Sequence, residues 1–453
     1  MTLILGAGLA GLSASFHLGH DRCLILEKQL HAHGRLHVEF RDGFTWDEGP
    51  HVSFTKHEYV RDLFARSVKG EFEEYEVRTG NYFRGNWIDH PAQSALHQVP
   101  EPLRTECLES FLASRQTGNA SPPANYAEWL EQAFGTTFAE TFPAAYTRKY
   151  WTREPRDLTT DWVGNRVFYP KVEDVVAGSK GPLGRQTHYI NKVRYPKNGG
   201  YQSFVRSIAD GARIRFGAEI TRIDLEDRRV WTATGDCYGY DKLVNTIPLP
   251  MFVQMCKQAS AEVIEAAQAL SCSQLLLINV MAQHPTVRPE NWMYVYDTDK
   301  LSTRINCTEK LTPANGPSGH TGVQVEVYFS RHRCLDLSPN QIQKKVVLEL
   351  IEMGLIDPSQ SQTPILSFNS YVPWANVIFD RKTKPALDAI WSWAEQFGLV
   401  REPADLNPLT DWGTVNKVQQ SSTLSMAGRF GQWKYYWTDD CVLRGRQIAG
   451  EII

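Results

Sequence analysis

Three glycines near the start, Gly6-x-Gly8-x-x-Gly11, are spaced to hold a phosphate with main chain alone. An apolar run, Thr2-Leu-Ile-Leu5, leads into them, and a helical pattern from Leu12 to Leu18 follows. In that setting Gly6 permits the tight turn, Gly8 lets the backbone approach a pyrophosphate, and Gly11 lets helix pack on strand. Ala7, Leu9 and Ala10 complete a turn whose free N–H groups and helix dipole favour an anion. A second apolar run, Cys23-Leu-Ile-Leu26, ends in Glu27, an acid of the type that binds an adenosine ribose, with Lys28 beside it. The chemistry expected of this stretch is dinucleotide binding.

The rest of the chain must position that turn. At 453 residues it exceeds one ordinary core, so two or three lobes are expected. A net charge of −3 with 22% charged residues points to neither nucleic acid nor an anionic membrane as a global partner. No apolar run approaches the ~20 residues of a membrane span. The eight cysteines form no CxxC pair, so neither a metal site nor a disulfide framework is indicated. With its first strand at residue 2 the chain reads as cytoplasmic and without a signal peptide.

Helical spacing is expected over 58–76, then a hairpin over 81–87. Apolar spacing in Tyr126 to Phe134 and Phe138 to Tyr150 marks a helical region interrupted by Gly118-Asn-Ala-Ser-Pro-Pro123. Short strands at 213–216, 219–224, 229–233 and 242–247 suggest a small antiparallel layer on a doubly wound sheet. Strands at 275–281, 292–296 and 322–329, a helix at 339–353, a strand pair within 365–379 and a helix at 385–397 suggest a sheet-based domain. The α/β organisation expected is a Rossmann-like (GR2-type) domain in three parts, 1–84, 195–250 and 405–453. It carries a helical insertion, 85–194, and a substrate sheet domain, 251–404.

Downstream of Glu27 stand Gly34-Arg35 and Gly43-Phe-Thr-Trp-Asp-Glu-Gly49-Pro50-His51. This resembles the FAD-binding start of the amine-oxidase-like flavoprotein superfamily, which implies FAD rather than NAD, with Gly34 and Arg35 near the pyrophosphate. Four stretches resemble the UDP-galactopyranose mutase family, especially its eukaryotic type, and share features with protoporphyrinogen-oxidase-like flavoproteins. They are Phe44 to Phe54, Phe142 to Val167, Trp292-Met-Tyr294 with Arg304 ten residues on, and Gly428-Arg-Phe-Gly-Gln-Trp-Lys-Tyr435.

The resemblance implies cofactor contacts at Gly49, Pro50, His51, Ile220, Gly428, Asp439, Asp440 and Val442. It implies substrate contacts at His90, Trp151, Trp162, Arg166, Lys171, Tyr294, Arg304, Arg429 and Tyr435, with His51, Arg304 and Arg429 closest to the chemistry. That chemistry is pyranose–furanose interconversion of a nucleotide sugar through a reduced-flavin N5–sugar adduct, with FADH⁻ as the active form and NAD(P)H as a possible reductant. A guanidinium grips a diphosphate through two parallel bonds, which suits Arg304 and Arg429. The chain departs from the family on the nucleotide side. Pro50 replaces a second glycine, His90 and Val377 stand where tyrosines are usual, and Lys171 stands where the eukaryotic type has an asparagine. An alternative activity on the same fold is hydride transfer to FAD, as in amine or protoporphyrinogen oxidases, and a third is a flavoprotein scaffold without turnover.

Overall fold

A computed structural model describes residues 1–116, 121–164, 167, 169–183, 192–361, 363–401 and 422–452. Its first layer is a five-stranded parallel sheet in the order Leu424–Met426, Lys242–Asn245, Thr2–Leu5, Cys23–Leu26, Ile214–Arg215. Thr2–Leu5 is central and buried along its whole length, as a strand covered on both faces must be. Helix Leu9–Leu18 leaves it through the glycine turn and packs on the final helix, Thr438–Ile452. The two helices cross closely because Gly445 has no side chain: a Cβ there would lie 2.3 Å from Ser13 Oγ. The Ser13 hydroxyl donates to the Val442 carbonyl at 2.8 Å across that crossing.

A three-stranded antiparallel sheet, Ile220–Asp224, Arg229–Thr232 and Cys237–Gly239, lies in the chain between the parallel-sheet strands Ile214–Arg215 and Lys242–Asn245. Two of the four strands expected in that small layer, Ile214–Arg215 and Lys242–Asn245, pair in the parallel sheet instead. The sheet-based domain has seven strands in the order Leu366–Ile378, Ser271–Ala282, Thr321–Phe329, Arg304–Cys307, Trp292–Val295, Thr79–Phe83, Asn86–Asp89. Its pairs are antiparallel except Trp292–Val295 with Thr79–Phe83. In Thr321–Phe329 the period of two is clear. Val323, Val325 and Val327 pack with Ile342, Val346 and Leu350 of helix Pro339–Glu352, while Gln324, Glu326 and Tyr328 face a cleft.

Three expectations change. The helix over 58–76 stops at Ser67, because Lys69 and Gly70 adopt positive φ, and Phe72–Glu76 is a strand paired with Lys192–Pro196. The boundary at residue 85 falls inside the hairpin Thr79–Phe83/Asn86–Asp89, which continues the seven-stranded sheet. The strand pair within 365–379 is one edge strand, Leu366–Ile378, in which Pro373 falls at a register shift and so breaks no regular ladder pair. The helical region runs through Leu103–Gln116, Tyr126–Phe134 and Thr136–Ala139 to Ala145–Tyr150. Pro143 removes one main-chain donor, and the chain answers with a π turn, Glu140–Ala144. Among the described residues no helix is long and apolar enough to cross a membrane.

Candidate active site

One cleft of about 980 Å³ begins at Gly6 and Gly8, passes Glu27, Gly34, Arg35 and His51, and opens into a chamber walled by aromatic side chains. Its first arm has the form a dinucleotide needs. Gly34 has φ +53°, and a Cβ on it would come within 3.0 Å of the Gly8 Cα, so two bare backbones cross there. Helix Leu9–Leu18 starts at Gly8 with no side-chain cap, leaving first-turn N–H groups for a phosphate. Glu27 is fixed by main chain: Oε2 accepts from the Ala7 N–H at 2.8 Å and Oε1 from the Gln29 N–H at 2.9 Å. Its remaining lone pairs suit ribose hydroxyls. Arg35 Nη1 donates to Glu48 at 2.6 Å. Gly428, with φ +84°, brings the last strand's turn against Ala10, where a Cβ would meet the Ala10 Cβ at 3.1 Å.

His51 stands at the junction of the two arms. Its Nδ1–H donates to the Gly49 carbonyl at 2.9 Å, the only role open to a ring nitrogen facing a carbonyl. Burial first, and then the positive charges of Arg35, Arg304 and Arg429, hold its pKa down from 6.5 to about 3. Folding thus favours neutral His51, so this contribution to stability is complete above 6.5 and is lost as pH falls toward about 3. Histidine NMR should show no titration of His51 between about pH 5 and 9; a midpoint near the ordinary value would contradict this setting.

In the chamber Arg304 faces Glu326 across the strand register. Its Nε and Nη2 donate to Glu326 at 2.6 and 2.7 Å, and the Tyr328 hydroxyl adds a bond at 3.0 Å. Among the described residues Arg429 has no such carboxylate: Nε and Nη2 donate to the Tyr436 carbonyl, and Nη1 donates to Asn376 Oδ1 at 3.1 Å. Tyr294 accepts from the Trp292 indole at 3.1 Å. His90 lies against the Tyr294 ring and donates through Nδ1 to Asn81 Oδ1 at 3.0 Å. Trp151, Trp162 and Tyr435 pack together, with ring centroids 4.8 to 6.2 Å apart.

The cleft is therefore lined by Gly6, Gly8, Leu9, Ala10, Glu27, Lys28, Gly34, Arg35, Gly49, Pro50, His51, Ile220, Gly428 and Asp439 of the expected cofactor contacts. Of the expected substrate contacts, His90, Trp151, Trp162, Tyr294, Arg304, Arg429 and Tyr435 line it too. Others stand elsewhere. Ala7 and Gly11 pack inside the turn, a Cβ on Gly11 meeting the Gly6 carbonyl oxygen at 2.1 Å. Asp440 accepts from the Trp437 N–H at the start of the last helix, and Val442 is buried in the helix crossing. Lys171 is exposed, one residue before helix Val172–Lys180, and Arg166 lies outside the described residues. Val377 is wholly buried, and its neighbour Asn376 is the residue that reaches the cleft.

Sequence reasoning passed over Gln324, Glu326 and Tyr328, although polar residues at every second position of an apolar strand were a readable signal. It also gave no site role to Tyr146 and Tyr150, one helical turn apart with rings stacked at 5.6 Å.

A family model for flavin-containing amine oxidoreductases matches residues 9–385. The chain belongs to that family. Membership implies FAD, and the glycine crossing, uncapped helix and fixed Glu27 fit that cofactor. A crystal structure of reduced UDP-galactopyranose mutase superposes with a TM-score of 0.86 at 20% identity, covering 99% of this chain and 94% of that one. A 4,4'-diapolycopene oxygenase from Methylomonas sp is 22% identical over 79% of this chain and 82% of its own. A 4,4'-diapophytoene desaturase from Staphylococcus aureus (strain Newman) is 32% identical over 26% of this chain, which spans only 22% of that relative.

Proposed function

We propose that the protein interconverts the pyranose and furanose forms of a nucleoside-diphosphate sugar. One observation carries this reading: Arg304 and Arg429, with Tyr294 and Tyr435, line the chamber onto which the arm with Gly8, Gly34 and Glu27 opens. Reduced FAD, which Gly8, Gly34 and Glu27 would hold, would supply a nucleophile for the anomeric carbon. The chain's own residues hold what leaves. Arg429, whose described partners are uncharged oxygens, keeps its positive charge for a phosphate. Arg304, fixed through Nε and Nη2, has Nη1 left for a second oxygen. Tyrosine hydroxyls add donors, and the aromatic walls exclude water and stack on sugar and base rings. His51 packs beside the cofactor without charge and orients by its bond to Gly49. NAD(P)H as reductant and a cytoplasmic location belong to the same reading.

A second reading, hydride removal from an apolar substrate, is favoured by the aromatic chamber and by the carotenoid-enzyme relatives. Titration of the reduced holoprotein with UDP and with an apolar polyene separates the two. The proposal expects UDP to perturb the flavin absorbance and the polyene to leave it unchanged; the opposite pattern would move the assignment to the second reading.

A further inference from the structure

Lys149 is only 2% exposed, and it stands outside the cleft lining. Its Nζ donates to three main-chain carbonyls, Val295 at 2.9 Å, Asp297 at 2.7 Å and Ser302 at 2.7 Å, which uses all three of its donors. A buried ammonium is costly unless it is bonded in this way. The carbonyls belong to the turn between strands Trp292–Val295 and Arg304–Cys307, which carry Tyr294 and Arg304. Glu349 grips the same turn, accepting from the Leu301 N–H at 2.8 Å and from the Ser302 N–H and hydroxyl at 2.9 and 2.6 Å. Lys149 itself sits on helix Ala145–Tyr150, whose Tyr146 meets the Tyr294 ring edge-on at 5.4 Å.

From this geometry we infer that Lys149 is a positioning residue that locks the Tyr294/Arg304 hairpin to the Tyr146/Tyr150 helix and so sets the width of the substrate chamber. Its consequence for nucleotide binding rests on the function proposed above; the lock itself does not. Burial pulls the Lys149 ammonium down to about 7, Glu349, Asp297 and Asp299 favour its charge, and Arg333 opposes it. The lock therefore weakens as pH rises, because a neutral amine loses one of the three donors.

Lys149→Met in the FAD-loaded protein tests this by amide exchange over residues 292–307 and by UDP titration. The turn amides of Leu301, Ser302 and Thr303 should exchange about tenfold faster or more, with Thr2–Leu5 unchanged and flavin retained. UDP should bind more weakly. If the variant gives no folded holoprotein, the wild type decides between about pH 6 and 10, after correction for intrinsic exchange. Turn protection should then fall with pH while that of Thr2–Leu5 holds. Unchanged turn exchange in the variant, or turn protection flat with pH, would overturn the inference. A loosened turn in a protein whose wild type binds no UDP would support the lock and count against the nucleotide reading alone.

Discussion

Gly8→Leu should yield a folded but colourless protein. Gly8 has φ −72° and ψ 173°, a conformation open to any residue, and a Cβ there meets nothing nearer than the Gly34 Cα at 3.9 Å. The chain leaves room at the Cβ, so the apo protein should still fold, with stability within about 2 kcal/mol of wild type. The pyrophosphate does not tolerate the side chain, because the leucine fills the space where main chain and phosphate must touch. Gly11→Ala should behave differently. Its Cβ would lie 2.1 Å from the Gly6 carbonyl oxygen, so the turn itself must shift, at about 1–3 kcal/mol. Absorbance at the flavin bands together with thermal unfolding separates the two effects. A yellow Gly8→Leu protein would remove the turn from the cofactor site.

The second large effect concerns the arginines. Arg429→Ala should weaken UDP binding by about 1.5–3 kcal/mol, roughly ten- to 150-fold in Kd, and should also lower flavin retention. The latter follows because Arg429 ties the Tyr436 carbonyl to Asn376 in the segment that closes on the cofactor arm. Arg304→Ala should cost more in UDP binding while keeping more flavin. It leaves Glu326, whose side chain is only 2% exposed, as an uncompensated carboxylate facing the diphosphate. Stability should drop by about 3 kcal/mol for the same reason. Arg304→Ala with Glu326→Gln should recover much of that stability and part of the affinity, leaving the loss due to Arg304 alone. Equal UDP affinity in wild type and this double variant would show that Arg304 touches no phosphate.

How much of this was legible follows from the kind of interaction involved. The dinucleotide turn could be read because it depends on residues within one strand–turn–helix unit, where Gly6 and Gly11 serve backbone needs of the turn and Gly8 leaves its approach open. Arg304 and Arg429 could be placed in the site only through motif resemblance, and their partners could not be read at all. Glu326 and Asn376 reach them through sheet pairing and side-chain packing between distant segments. Alternation along Thr321–Phe329 signalled a two-faced strand, yet not which face met the cleft. Lys171 and Val377 show the converse. Motif position suggested a contact at Lys171 and a lost hydroxyl at Val377, but Lys171 is exposed just before a helix and Val377 is buried one residue from the cleft-lining Asn376. The end of the helix at Ser67 was decided by Lys69 in a left-handed conformation that spacing alone does not announce.

The central claim is that the chamber holds a nucleotide sugar while its ring form changes without net redox. The most direct measurement supplies UDP-galactopyranose, without oxygen or added reductant, to two samples of the holoprotein. One is oxidised and the other has been reduced once with dithionite. Sugar ring form and flavin absorbance are followed together. The account predicts furanose product from the reduced sample only, over many turnovers, with no loss of reducing equivalents. Bleaching of the oxidised flavin by substrate, with no product from the reduced sample, would contradict it.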